Sequence, residues 1–66
     1  MFSQTMQDAI NQQINKELYS AYVYLSMAAY FEAQNLPGAA QWMRKQSGEE
    51  TEHGMKFFEF LIERGA

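Results

Sequence analysis

Residues 33–42 read AQNLPGAAQW, and this stretch decides the fold because it holds the only proline of a 66-residue chain. Pro37 has no backbone N–H to continue a helix, and with Asn35 before it and Gly38 after it the stretch marks a break between two regular elements. On its N-terminal side, Gln4 to Gln34 is rich in Ala, Met, Gln, Leu and Glu and contains neither Gly nor Pro. On its C-terminal side, Gly38 to Arg64 has the same character with Gly48 and Gly54 inside it. Both arms read as long helices. Ser3 or Thr5 is placed to cap the first, Asn35 to cap the second with Pro37 in its first turn, and Gly65 to stop it. A connection this short folds the arms back on each other. The expected fold is therefore all-α, an antiparallel helical hairpin forming one domain over residues 1–66.

Size and charge set further bounds. A chain of 66 residues buries too little apolar surface to be comfortably stable alone, so a homo-oligomer is expected. The net charge is −3, and Lys16, Arg44, Lys45, Lys56 and Arg64 are too scattered to form a basic patch, which argues against nucleic acid as a partner. There is no cysteine, so any metal here takes oxygen and nitrogen ligands. The N-terminal MFSQTMQDAINQQ has neither a basic segment nor an apolar run, and no window reaches the length of a membrane span. The expectation is a soluble, cytoplasmic protein with no membrane partner.

Apolar spacing names the face on which the arms meet. In the first arm Ile10, Ile14, Glu17, Ala21, Tyr24, Ala28 and Phe31 alternate steps of four and three, the spacing of a stripe that faces a partner helix. In the second arm the same spacing selects Ala39, Met43, Gln46, Glu50, His53, Phe57 and Phe60. Each stripe is apolar at both ends and polar in the middle. With the turn near Leu36, Glu17 lies roughly 28 Å along the first helix, and Glu50 and His53 lie roughly 21 and 26 Å along the second, at about 1.5 Å of rise per residue. The polar residues gather at one depth.

A lone Glu in such a stripe ordinarily sits at its edge and reaches water, and a lone inward His is ordinarily a satisfied core or surface residue. Spacing changes that reading. Glu50 and His53, three residues apart on a helix, offer a carboxylate oxygen and an imidazole nitrogen to one ion, and Glu17 brings a second carboxylate at matching depth. Burying these groups with no cation among them would leave charge poorly compensated. The remaining candidates have plainer roles. Met1, Met6, Met27, Met43 and Met55 do not share a stripe and read as gap-fillers and helix formers. Tyr19, Tyr22, Tyr24 and Tyr30 read as packing residues, of which Tyr24 lies in the stripe two turns from Glu17. In the acidic run Glu49, Glu50 and Glu52, only Glu50 has the phase of the seam.

At the level of whole segments, NKELYSAYVYLSMAAYF and FEAQNLPGAAQWMRKQSGEETEHGMKFFEFLIERGA resemble the first two helices of a bacterial non-haem ferritin. The likeness covers essentially the whole chain, and its most specific parts are the Glu of KELYSAY and the later EETEH. It implies a di-iron ferroxidase centre at which Fe(II) is oxidised to Fe(III) by O₂ or peroxide for iron storage. Glu17, Glu50 and His53 would be its ligands, with Glu50 bridging the irons. The resemblance gives Tyr24 the part of the family's tyrosine near the centre and Glu49 that of a carboxylate at a further iron site. Thr51 stands where bacterioferritin has its haem-ligating Met, so no haem is implied.

The resemblance also implies an incomplete site, because the family's bundle has four main helices and this sequence supplies two. Two hairpins packed about a two-fold axis would rebuild a four-helix bundle, as a dimer of hairpins or a larger cage, with two Glu and two Glu-x-x-His sets. The hairpin can equally be part of a longer subunit. Ferroxidase activity requires completion by one route or the other. The opposing reading is a structural, self-associating hairpin without productive metal chemistry.

Overall fold

A computed structural model describes residues 3–64 of the chain. They form α1 (Gln4–Ala33) and α2 (Pro37–Glu63), packed antiparallel, with no strand among the described residues. The all-α hairpin read from the sequence is the fold observed, with each helix ending one residue earlier than expected.

The capping groups explain where the helices start and stop. Ser3 is extended at φ −67°, ψ 160°, and its hydroxyl oxygen accepts a hydrogen bond from the Met6 N–H at 3.1 Å, satisfying one of the donors a helix start leaves unpaired. Thr5 lies inside α1. Asn35 departs from its expected role as the α2 cap. It sits at φ 60°, its N–H donating to the Glu32 carbonyl at 3.1 Å while the Leu36 N–H donates to that of Phe31 at 2.9 Å. These two bonds form a Schellman ending, with Asn tolerating the left-handed position better than most residues. Asn35 therefore closes α1. Leu36 occupies the N-cap of α2 without a side-chain bond, and Pro37 follows in the first turn, where a missing N–H costs nothing. At the far end the Arg64 guanidinium lies over the Phe60 ring, 4.9 Å from its centroid. Gly65, the expected stop, and Met1 lie outside the described residues.

The line along which the helices touch is made of small residues. Ala21 and Ala28 of α1 are buried, as are Ala40, Gly54 and Leu61 of α2. Between them the Ser47 hydroxyl donates to the Ala21 carbonyl at 2.8 Å, a bond that crosses from one helix to the other. Ala40, Ser47, Gly54 and Leu61 recur every seventh residue and so share one side of α2. The α1 stripe expected from spacing is half-buried or buried throughout. On α2 the expected stripe lies one residue to the side of the true contact line: Ala39, Met43, Gln46, Glu50 and Phe57 are half-buried, while His53 and Phe60 are exposed. Glycine and serine carry no apolar signal, yet they permit the closest approach, which is why the apolar pattern points slightly past them.

Both faces of the hairpin carry exposed apolar side chains. Tyr22 is 66% exposed, Ile62 59%, Leu25 56% and Trp42 54%, so two helices alone cannot cover this surface. Met6, Met27 and Met55 are among the exposed residues, and only Met43 of the described methionines is half-buried. The methionines fill few gaps within the hairpin itself. No helix among the described residues is long and apolar enough to cross a membrane.

The Ser47 bond generates a test. Replacing Ser47 by Ala removes an interhelix hydrogen bond of roughly 1 kcal/mol while gaining a few tenths in helix propensity, so a net loss of about 0.5–1 kcal/mol is expected in urea unfolding. Thr51→Ala removes only the exposed bond from its hydroxyl to the Ser47 carbonyl, 3.0 Å away, and should be neutral or stabilising. Equal outcomes for the two variants would show that the cross-helix bond contributes nothing.

Candidate metal centre

Close approach of the two backbones creates the site. A Cβ at Gly54 would lie 3.2 Å from Leu18 Cδ2 and 3.6 Å from Glu17 Cβ, so α2 presses against α1 directly beside Glu17. Glu50 and His53 flank that contact on one side of α2, one turn apart. His53 Nδ1 consequently stands 3.5 Å from Glu17 Oε2 and 3.5 Å from Glu50 Oε1. One donor atom from each of the three residues fits within a group whose members are all within 4.8 Å of one another.

Hydrogen bonding aims the first of these groups. Gln13, one turn before Glu17 on α1, donates from Nε2 to Glu17 Oε1 at 2.9 Å. That bond occupies one carboxylate oxygen and leaves Oε2 on the His53 side. Side-chain exposure runs from 16% at Glu17 and 24% at Glu50 to 51% at His53, so the carboxylates lie in the hairpin and the imidazole stands at its mouth. Beyond them opens a groove lined by Glu17, His53, Lys56, Phe57 and Phe60.

The two carboxylates do not titrate independently. A hydrogen bond with Glu50 is the main influence holding Glu17 below the ordinary carboxylate value, helped by the bond from Gln13. Glu50 is pushed above it, first by the same hydrogen bond, then by burial and the negative charge of Glu17. The physical cause is that two adjacent carboxylates resist carrying full charge together, so the ionisation of one disfavours that of the other. For stability the two shifts oppose each other. The Glu17 contribution is present above its ordinary value and is lost as pH falls through the lowered one, whereas the Glu50 contribution is present at low pH and is lost as pH rises through the raised one.

This donor set fits a first-row divalent cation. Two ligands each about 2.1 Å from a shared ion sit roughly 3–3.5 Å apart, close to the separation of His53 Nδ1 from each carboxylate, and the hard oxygens with one borderline nitrogen suit iron or zinc. A cation would also offset the repulsion between the two carboxylates. Glu49 is exposed and stands outside the group. Tyr24 is half-buried two turns away, its ring edge-on to Trp42 with centroids 6.4 Å apart. Three contributors escaped the sequence reading: Gln13, Gly54 and Ser47. Only Gln13 left a usable signal, its position four residues before Glu17 on the same face.

Taken alone, fold and site define a helical hairpin with a carboxylate–imidazole cluster at its centre whose donor atoms could hold a metal ion. Residues 7–66 match the family model for the ferritin-like domain. Over 65 residues the chain is 46% identical to the bacterial non-heme ferritin of Bacteroides fragilis, covering 98% of this chain and 41% of that protein. It is 46% identical over 61 residues to a ferritin of Pacifastacus leniusculus, covering 89% and 34%. Among solved structures, the open pore ferritin of the hyperthermophilic archaeon Archaeoglobus fulgidus superposes with a TM-score of 0.95 at 54% identity, over 98% of this chain and 40% of that one. An engineered closed form of the same ferritin gives 0.97 at 53% identity. The chain belongs to the ferritin-like family. It spans about two-fifths of the length of the relatives first matched.

Removing charge from the carboxylate pair should reveal the strain it carries. Glu17→Gln with Glu50→Gln is expected to raise the melting temperature of the metal-free chain, whereas Zn(II) should raise that of the unaltered chain, by about 2.7 kcal/mol at a hundredfold excess over its dissociation constant. Thermal unfolding followed by circular dichroism gives both signs. A metal-free double variant less stable than its parent, with no shift on adding Zn(II), would refute a cation site.

Proposed function

We propose that this chain binds Fe(II) and takes part in its oxidation to Fe(III) for iron storage, with Glu17, Glu50 and His53 as the iron-binding residues. The observation that carries this reading is the convergence of two carboxylates and one imidazole nitrogen within 4.8 Å, at the middle of a ferritin-like hairpin. Iron is substrate and cargo here. Carboxylate oxygens are hard ligands that favour the more highly charged ferric product, and a single imidazole per set leaves positions free for a second reactant. Reducing one O₂ to hydrogen peroxide consumes two electrons and two protons, so two Fe(II) are needed per O₂. That stoichiometry is the chemical reason for a paired, di-iron centre, and peroxide can serve as the acceptor in the same way.

Each side chain has a definite part in this scheme. Glu17, held by Gln13, keeps one oxygen directed at the ion, Glu50 bridges toward a second ion, and His53 supplies the neutral nitrogen at the open side. Glu49, next to Glu50 but facing outward, takes a further iron as it leaves the pair. Tyr24 acts from two turns away as a neighbour of the centre. Storage of the ferric product requires an assembly of copies, so the chain acts as a homo-oligomer in the cytoplasm, with O₂ or peroxide as co-substrate.

Single substitutions in the acidic run provide an internally controlled test. In aerobic Fe(II) oxidation followed by the appearance of Fe(III) absorbance, Glu50→Ala should slow the rate by more than tenfold, since even removing a hydrogen-bond partner of a ligand costs about 10–100-fold at metal sites. Glu52→Ala, one helical position off the seam and exposed, should leave it within about twofold. Equal rates for the two variants, or no iron bound anaerobically, would turn the reading toward an inert structural hairpin.

A further inference from the structure

Among the described residues, one side-chain hydrogen bond reaches the carboxylate–imidazole cluster from outside it, the bond from Gln13 Nε2 to Glu17 Oε1 at 2.9 Å. We infer that Gln13 makes Glu17 a one-oxygen ligand and thereby sets the ion preference of the site, favouring a small first-row cation over calcium. Gln13 is thus a positioning residue, which acts through Glu17 and touches no ion itself. The inference rests on the metal-binding reading proposed above and deepens it by naming what selects the metal.

Two oxygens make a carboxylate ambiguous as a ligand, since either one or both can face an ion. Calcium takes about six to eight oxygens at about 2.3–2.6 Å and often draws on both oxygens of one carboxylate. Zinc and its first-row neighbours hold fewer ligands at about 2.0–2.2 Å, for which one oxygen from each carboxylate suffices. In Glu17 the two oxygens already have separate partners: Oε1 accepts from Gln13, and Oε2 stands 3.5 Å from His53 Nδ1. Turning both toward one ion would pull Oε1 away from the Gln13 amide, at a position where both residues are half-buried.

The local origin of the bond makes it independent of whatever surrounds the hairpin. Gln13 and Glu17 lie four residues apart on one helix, the spacing at which side chains meet, so the bond forms within α1 alone. The type of donor matters as much as its place. A Lys or Arg in place of Gln13 would orient the carboxylate equally well but set a positive charge against the incoming cation, whereas a neutral amide orients without repelling. Glu17 is also the least exposed of the three donors, which limits the other orientations open to it.

Gln13→Met keeps side-chain length and helix propensity while removing the donor. Gln12→Met changes an exposed neighbour about 100° around α1 and serves as the control. Zn(II) and Ca(II) affinities of the whole chain, measured by calorimetry at one pH, should show a preference for Zn(II). Gln13→Met should lower that preference by about 10–100-fold, the usual effect of removing a partner that orients a ligand, mainly through weaker Zn(II) binding. Gln12→Met should leave it within about twofold. Co(II) bound in place of Zn(II) reports the geometry directly: its visible bands should weaken in Gln13→Met as Glu17 adds its second oxygen. In the metal-free chain, the side-chain amide protons of Gln13 should exchange with solvent more slowly than those of Gln12, which tests the bond without any metal. An unchanged Zn(II) to Ca(II) ratio with an unchanged Co(II) spectrum, equal losses for both ions, or equal exchange at the two glutamines would each overturn the inference while leaving the site itself intact. A parent chain that binds neither Zn(II) nor Co(II) would instead refute the metal-binding reading, and the inference with it.

Discussion

Everything distinctive in this hairpin depends on how closely two helices approach at Gly54. A side chain there would need space now taken by Leu18 and the Cβ of Glu17. Because it is absent, the α2 backbone comes close enough for Ser47 to bond the Ala21 carbonyl on the turn side of the site. The same approach brings Glu50 and His53 across to Glu17. Contact energy cannot come from large apolar side chains along this line, since the buried residues are mostly alanine and glycine. It comes from dense backbone packing, whose many weak dispersion contacts depend steeply on distance.

Such a seam creates two unmet demands at once. The first is apolar, because large side chains displaced from the contact line stand on the outer faces. The second is electrostatic, because the negative charge of Glu17 and partial burial both disfavour ionisation of Glu50 beside it. Small residues inside and large residues outside invert the usual arrangement of a stable domain. A hairpin built this way leaves both its apolar faces and its carboxylate pair to be satisfied by something beyond its two helices.

Much of this was legible in the sequence, for physical reasons that differ from element to element. Pro37 and Gly38 announced the break because a missing N–H and a missing Cβ act locally, whatever the surroundings. Glu17, Glu50 and His53 were legible because a polar residue inside an apolar period stands out, and helical rise converts spacing into depth. The role of Asn35 was not, since capping and left-handed positions favour the same short polar side chains and only the backbone angle tells them apart. Nor was the Ala40–Ser47–Gly54–Leu61 line, because periodicity registers large apolar groups and the decisive residues here are those that lack them. Gln13 bonds within its own helix and was accessible from its position four residues before Glu17, but as one of four glutamines in α1 its spacing alone did not single it out.

The balance of local and long-range forces explains why the ligands sit where they do. Near either end of a helix the chain frays and side chains find water, so a carboxylate pair there would simply ionise. At the midpoint the helices are held on both sides by Ala21, Ala28, Ala40 and Leu61, and a fixed backbone prevents Glu17 and Glu50 from separating. Rigidity thus turns proximity into stored electrostatic cost. A cation in this layer would relieve that cost, and His53 Nδ1 already stands 3.5 Å from each carboxylate. The free energy released on relieving it would add to the affinity for a cation, so the tension between the carboxylates and the metal binding proposed for them are two expressions of one arrangement.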